Sequence, residues 1–147
     1  MIEAFFMKLL ASTLFSSLFL TSFAAAESYD CNFKVRANDR KWVPSSLSIN
    51  VDRNDRVWVL GNIVKTDDGH PIEGRATDDI RTRDVFEVET VNESMPVDSR
   101  RPLGASSRRV LYTVSIDPED LTAILRAVTL VKYFEQSRRL TGACKIR

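Results

Sequence analysis

A chain that catalyses or coordinates must carry donors suited to the task, and here they are sparse. His70 is the single histidine among 147 residues and lies in "TDDGHP", next to Pro71. A Ser-His-Asp relay would have to run through it, and no nucleophile-elbow sequence accompanies it. A histidine in a turn is ordinarily a solvated loop residue. Zinc takes its ligands from several histidines and cysteines together, and one histidine with two mutually paired cysteines leaves no usual set. Asp67 with Asp68 and Asp78 with Asp79 have the residue type for glycoside acid-base chemistry or calcium, yet adjacent acids in turns more often shape and solvate the turn. The five glycines stand apart, so no phosphate-cradling loop is present. These residues predict no enzyme, no metal site and no cofactor.

Residues suited to recognition are more plentiful. "NESMPVDSRRPLGASSRR", from Asn92 to Arg109, holds two prolines, one glycine and two Arg-Arg pairs. A connection of that length inside a small domain is unusual unless it serves a purpose. Its plain reading is a hairpin connection; its sharper one is a recognition loop in which Arg100, Arg101, Arg108 and Arg109 meet an acidic protein or polysaccharide. A third pair, Arg138 and Arg139, either lies near that loop or decorates a strand start. Trp42 in "RKWVP" is a further contact candidate, weighed against a ring tucked over an open end of the core. Trp58 falls on the opposite face of its segment from Val57 and Val59, so it either packs under a covering segment or marks an apolar patch.

Residues 1–26 set the compartment in which such contacts would be made. "MKLLASTLFSSLFLTSFAAA", from Met7 to Ala26, has one basic residue, an apolar centre and a small-x-small ending at Ala24 and Ala26. That is the layout of a signal peptide cleaved after Ala26. Met7 offers an alternative translation start, because Glu3 suits a signal n-region poorly. An uncleaved anchor is weakened by the six serines and threonines of the apolar run. Lipid attachment would need a cysteine directly after the cut, where Glu27 stands. Residues 27–147 then form one exported domain, periplasmic or secreted. The net charge of +1 supplies no global attraction to nucleic acid or to an anionic membrane. Two cysteines in an exported chain are most simply one disulfide, Cys31 to Cys144, and so large a loop contributes about 4–5 kcal/mol in the chain-entropy model.

The elements that must position these residues are mostly strands. Alternation puts Cys31, Phe33 and Val35 on one face, and likewise Leu47, Ile49 and Val51; Phe86, Val88 and Thr90; and Val110, Tyr112, Val114 and Ile116. "RVWVLGNIVK" is apolar on both faces, Asp68-Gly69 has the chemistry of a hairpin turn, and a return strand follows through Ile72 to Asp78. Residues 118–134 are ambiguous. Asp117 as N-cap, Pro118 at the first helical position and Leu121, Ile124, Leu125 and Val128 at helical spacing favour a helix slightly. Leu125, Ala127, Thr129, Val131 and Tyr133 alternate as a strand instead. Leu140, Gly142, Cys144 and Ile146 share the last face. Inward cysteines on neighbouring terminal strands imply a closed or nearly closed antiparallel barrel or sandwich of about eight strands.

"YDCNFK" at the mature start, "RVLYTVSID" leading into "LTAILRAVTL", and "LTGACKIR" at the end resemble a loose group of small exported bacterial all-β proteins of unknown function. There a Y-x-C-x-F and a G-x-C-K bracket the domain. The resemblance implies a β-hairpin after Asp117 and transfers no site residues. The function expected is a non-enzymatic domain that binds an envelope or extracellular protein or polysaccharide, structurally or as an inhibitor. The alternative is a lipocalin-like carrier of a small apolar ligand, although Phe33, Leu47, Ile49, Phe86, Tyr112 and Leu125 are bulky enough to fill a small barrel.

Overall fold

The computed structural model describes residues 27–78, 83–92, 109–130 and 136–147. The leader assigned to residues 1–26, Val131, Tyr133 and the loop arginines Arg100, Arg101 and Arg108 lie outside them. The chain is all-β. Strands β1 (Ser28–Phe33), β2 (Ser46–Val51), β3 (Val57–Gly61), β4 (Ile72–Asp78), β5 (Asp84–Val91), β6 (Arg109–Ile116), β7 (Thr122–Thr129) and β8 (Ser137–Ile146) follow in order. Each pairs antiparallel with the next, and β8 returns to β1 to close the barrel. Closure leaves no sheet edge to template aggregation.

Alternation is obeyed along nearly every strand. Tyr29, Cys31 and Phe33 of β1, Val110, Tyr112, Val114 and Ile116 of β6, and Ala123, Leu125 and Ala127 of β7 are all buried. Their neighbours on the opposite face are polar, charged or only half-buried. An apolar interior with a polar exterior is the reverse of a membrane-spanning barrel. On β8 the pattern weakens at its end, where Ile146 is 64% exposed.

The helical signals at Asp117 are used for a single turn. The Asp117 side chain accepts from the Glu119 N–H at 2.9 Å, and the Leu121 N–H donates to the Asp117 carbonyl at 2.9 Å. Leu121 then adopts a left-handed φ of 60°, which ends the turn and starts β7 in register with β6. Capping chemistry therefore shapes a hairpin, because the paired strand offers residues 122–129 more than an isolated helix could. The other predicted turn also forms: Gly69, at φ 80°, donates to the Thr66 carbonyl at 2.9 Å.

Cys31 and Cys144 are direct cross-strand partners, with Cα atoms 3.9 Å apart, and form the disulfide. The Cys144 N–H donates to Leu121 on the β7 side, so the cysteines occupy a non-hydrogen-bonded site facing β1, where antiparallel side chains approach most closely. Two residues along, Phe33 faces Gly142. A Cβ at Gly142 would run into the Asn32 carbonyl oxygen and the Phe33 ring, so only glycine fits there.

One end of the barrel is closed by residues 36–45. A 3₁₀ turn, Ala37–Asp39, turns the chain inward, and Trp42 and Val43 are fully buried. The Tyr112 hydroxyl donates to the Trp42 carbonyl at 2.5 Å, and the Asn92 amide donates to Lys41 at 3.1 Å. Arg138 caps the plug, bonded to Asp39 at 3.1 Å and lying 5.6 Å over the Trp42 ring.

Candidate functional site

The barrel centre is occupied by its own side chains. Tyr112, Leu47, Ile49, Leu125 and Ile116 have almost no exposure, and among the described residues every buried side-chain nitrogen and oxygen has a partner. Burial pushes the Tyr112 hydroxyl up to about 12, with Asn92 pulling weakly the other way. Burial, then the Asp84 carboxylate, also raises Tyr29, whose hydroxyl lies 3.0 Å from Asp84 and 3.1 Å from Glu27. Both phenols stay protonated donors that tie ends of the barrel together. The arrangement inside is structural.

The exterior carries the charge. Most arginines there face acids: Arg56 with Glu73 at 3.1 Å, Arg75 with Glu87 at 2.6 Å, Arg109 with Glu89, and Arg147 with Asp30 at 3.4 Å. Arg56 also covers the half-buried Trp58 ring at 4.9 Å, while the Trp58 indole donates to Asp52 at 3.3 Å. Trp58 is thus packed under a neighbouring side chain.

Among the described strand arginines, Arg75, Arg109 and Arg138 meet acids, whereas Arg126 on β7 and Arg139 on β8 do not. They are direct cross-strand partners, both exposed, and neither has a carboxylate partner among the described residues. The Thr129 N–H donates to Gln136 at 2.9 Å and the Cys144 N–H to Leu121 at 2.8 Å. That phase makes Arg126 and Arg139 a non-hydrogen-bonded pair, the closer of the two antiparallel arrangements. Like charges placed this way repel. They line a groove of about 440 Å³ with the hydroxyl residues Thr113, Ser115 and Ser137. Arg83 forms one wall, fixed by Ser115 Oγ at 2.7 Å, the Thr122 carbonyl at 3.2 Å and Asp117 at 3.6 Å. Two free guanidinium groups beside neutral donors suit a carboxylate or another oxyanion.

A second, larger concavity of about 730 Å³ adjoins the first, sharing Arg83 and Ile124. It crosses the β7–β8–β1 seam, with Thr141, Gly142 and Ala143 as a low floor and Lys34 at its far rim. Its outward floor residues on β8 are the short Thr141 and Ala143, while Gly142 faces inward against Phe33.

The described residues among those singled out from sequence are dispersed. Trp42, offered as contact or seal, is the seal at 1% exposure, and a partner reaching that ring would have to open the plug. Arg109 is exposed and bound to Glu89. His70 sits in its turn, its backbone N–H donating to Thr66 Oγ1 at 2.9 Å. Arg139 belongs to the Arg138-Arg139 pair, whereas Arg126 lies in no sequence motif. The alternation of β7 already puts Arg126 outside, but its partner depends on the β7–β8 register. Searches of protein-family models, curated proteins and solved structures give no match to this chain. Function is therefore inferred from geometry.

Proposed function

We propose that this protein is an exported, non-enzymatic binding domain that docks an acidic macromolecular partner of the envelope or extracellular space on the outer face of β6–β8. One observation carries this reading: among the described residues Arg126 faces Arg139 with no acid beside them, while the other strand arginines Arg75, Arg109 and Arg138 are matched. The signal-like residues 1–26 and the disulfide support a periplasmic or secreted setting. Side chains filling the barrel centre favour the outer face over an internal apolar ligand.

The test is capture from envelope extract by the wild type, by Arg126→Ser/Arg139→Ser, and by a variant with Arg100, Arg101, Arg108 and Arg109 changed to Ser. Loss of the captured partner by at least tenfold in the first variant, with thermal stability retained, is expected. Identical capture by wild type and that variant removes the β6–β8 face from consideration, and loss only in the second transfers the role to the loop.

A further inference from the structure

Building on that reading, we infer that the occupant is an extended segment of a partner protein in which a carboxylate is followed by a bulky apolar side chain. The carboxylate bridges Arg126 and Arg139, and the apolar side chain lies in the adjoining trough over Gly142 and Ala143.

Charge complementarity settles the first contact. Two guanidinium groups on cross-strand partner residues allow one carboxylate to accept from both, which removes their mutual repulsion as it binds. The trough settles the second. It is continuous with the arginine groove through Arg83 and Ile124, and its lining joins Ile124 and Ala143 to the neutral polar side chains of Asn32, Thr122 and Thr141. Arg83 contributes little free charge there because Asp117 matches it.

A polysaccharide polyanion repeats its charge along its length and gains most from a track of cations. The surface instead concentrates its unmatched charge in the arginine groove, and the adjoining trough is lined by neutral side chains apart from Lys34 and the Asp117-matched Arg83. A peptide supplies that sequence of chemistry within neighbouring residues, and arginine beside apolar surface is the composition of protein interfaces. The two concavities lie on four adjacent strands, β6, β7, β8 and β1, so one extended segment spans both.

The experiment titrates the residue 27–147 chain, oxidised, with three probes: a short synthetic peptide bearing paired aspartates followed by phenylalanine, its twin with serine for phenylalanine, and dextran sulfate. Methyl NMR signals of Ile124 and Ala143 report the trough. The phenylalanine peptide is expected to bind about tenfold more tightly than its twin and to shift both methyl signals. Ala143→Gln, at an exposed outward position, is expected to erase that advantage without changing the twin's affinity, with an unaltered melt as the folding control. Equal affinities of the two peptides, no binding by either, no methyl shift at Ile124, or tighter binding of dextran sulfate than of both peptides would each overturn the inference. Arginine-dependent but equal binding of the twins leaves the docking face standing. Binding indifferent to Arg126→Ser/Arg139→Ser rejects the docking face as well.

Discussion

One row of outward side chains runs across five strands as Arg75, Glu87, Thr113, Arg126 and Arg139, and its two ends are matched in opposite ways. At β4–β5 arginine meets glutamate at 2.6 Å; at β7–β8 arginine meets arginine. The first arrangement follows the cross-strand rule and the second violates it, at a cost of up to about 1 kcal/mol. The chain holds 20 acidic residues, and one acid at either position would have matched the pair. Violations of local rules are expected at functional or strained sites, and on the proposed function the unmatched end is the one that meets a partner.

The faces also differ in what holds their strands together. β4–β5 and β7–β8 are both sequence-adjacent pairs, but β8 is also joined to β1, where the disulfide spans 113 residues. Changing Cys31 and Cys144 to Ala is expected to cost about 4–5 kcal/mol in the chain-entropy account, the largest effect foreseen here. Hydrogen exchange should show β1 and β8 amides losing more protection than those of β4 and β5. Uniform loss across all eight strands would mean that the seam and the matched face melt as one unit.

A smaller effect tests whether the two faces share one core. Unfolded tyrosine loses its proton near pH 10, while folded Tyr112 keeps its own up to about 12. Between those values the native state binds more protons, so stability is whole below the unfolded pKa and falls as pH rises. The loss is on the order of 2–3 kcal/mol, with Tyr29 acting in the same direction. Urea melts from neutral pH to above pH 11 should show this slope at probes on both faces, and Tyr112→Phe should flatten it. A slope confined to one face would divide the barrel.

The barrel was legible because inward alternation is strong on six strands, and because two inward cysteines at the chain ends leave few ways to join them. The hairpin after Asp117 was harder to see: its Asp-Pro start is genuine helix chemistry, and only pairing with β6 and β8 overrides it. The candidate site was nearly illegible. Arg126 and Arg139 are separated by a connection through residues 131–135, and whether they face each other depends on a register that no local pattern sets. Arginines adjacent in sequence stand out as a pair, yet adjacent residues on a strand point to opposite sides. Arg138 accordingly turns to Asp39 and Trp42, while Arg139 joins Arg126.

Reversing the charge at the unmatched end sharpens the comparison further. Arg126→Glu creates with Arg139 the acid-base pair that Arg75 makes with Glu87, and it should raise stability by about 0.5–1 kcal/mol while abolishing capture of the acidic partner. The gain should shrink as salt is raised, because both groups are exposed. A variant that loses stability and binding together would instead make Arg126 part of the scaffold.

The mirror substitution at the matched end has the smallest expected effect. Glu87→Gln removes the partner of Arg75, but the Arg75 side chain is 72% exposed, so solvent already screens most of the attraction. Stability should fall by only about 0.2–0.5 kcal/mol, and capture should be unchanged. Paired with Arg126→Glu, it isolates position from charge: each substitution changes an exposed member of the same row, and only one should alter binding. If Glu87→Gln weakened capture as much as Arg126→Ser, the docking face would extend across all five strands, and the contrast between a stabilising end and a binding end would disappear.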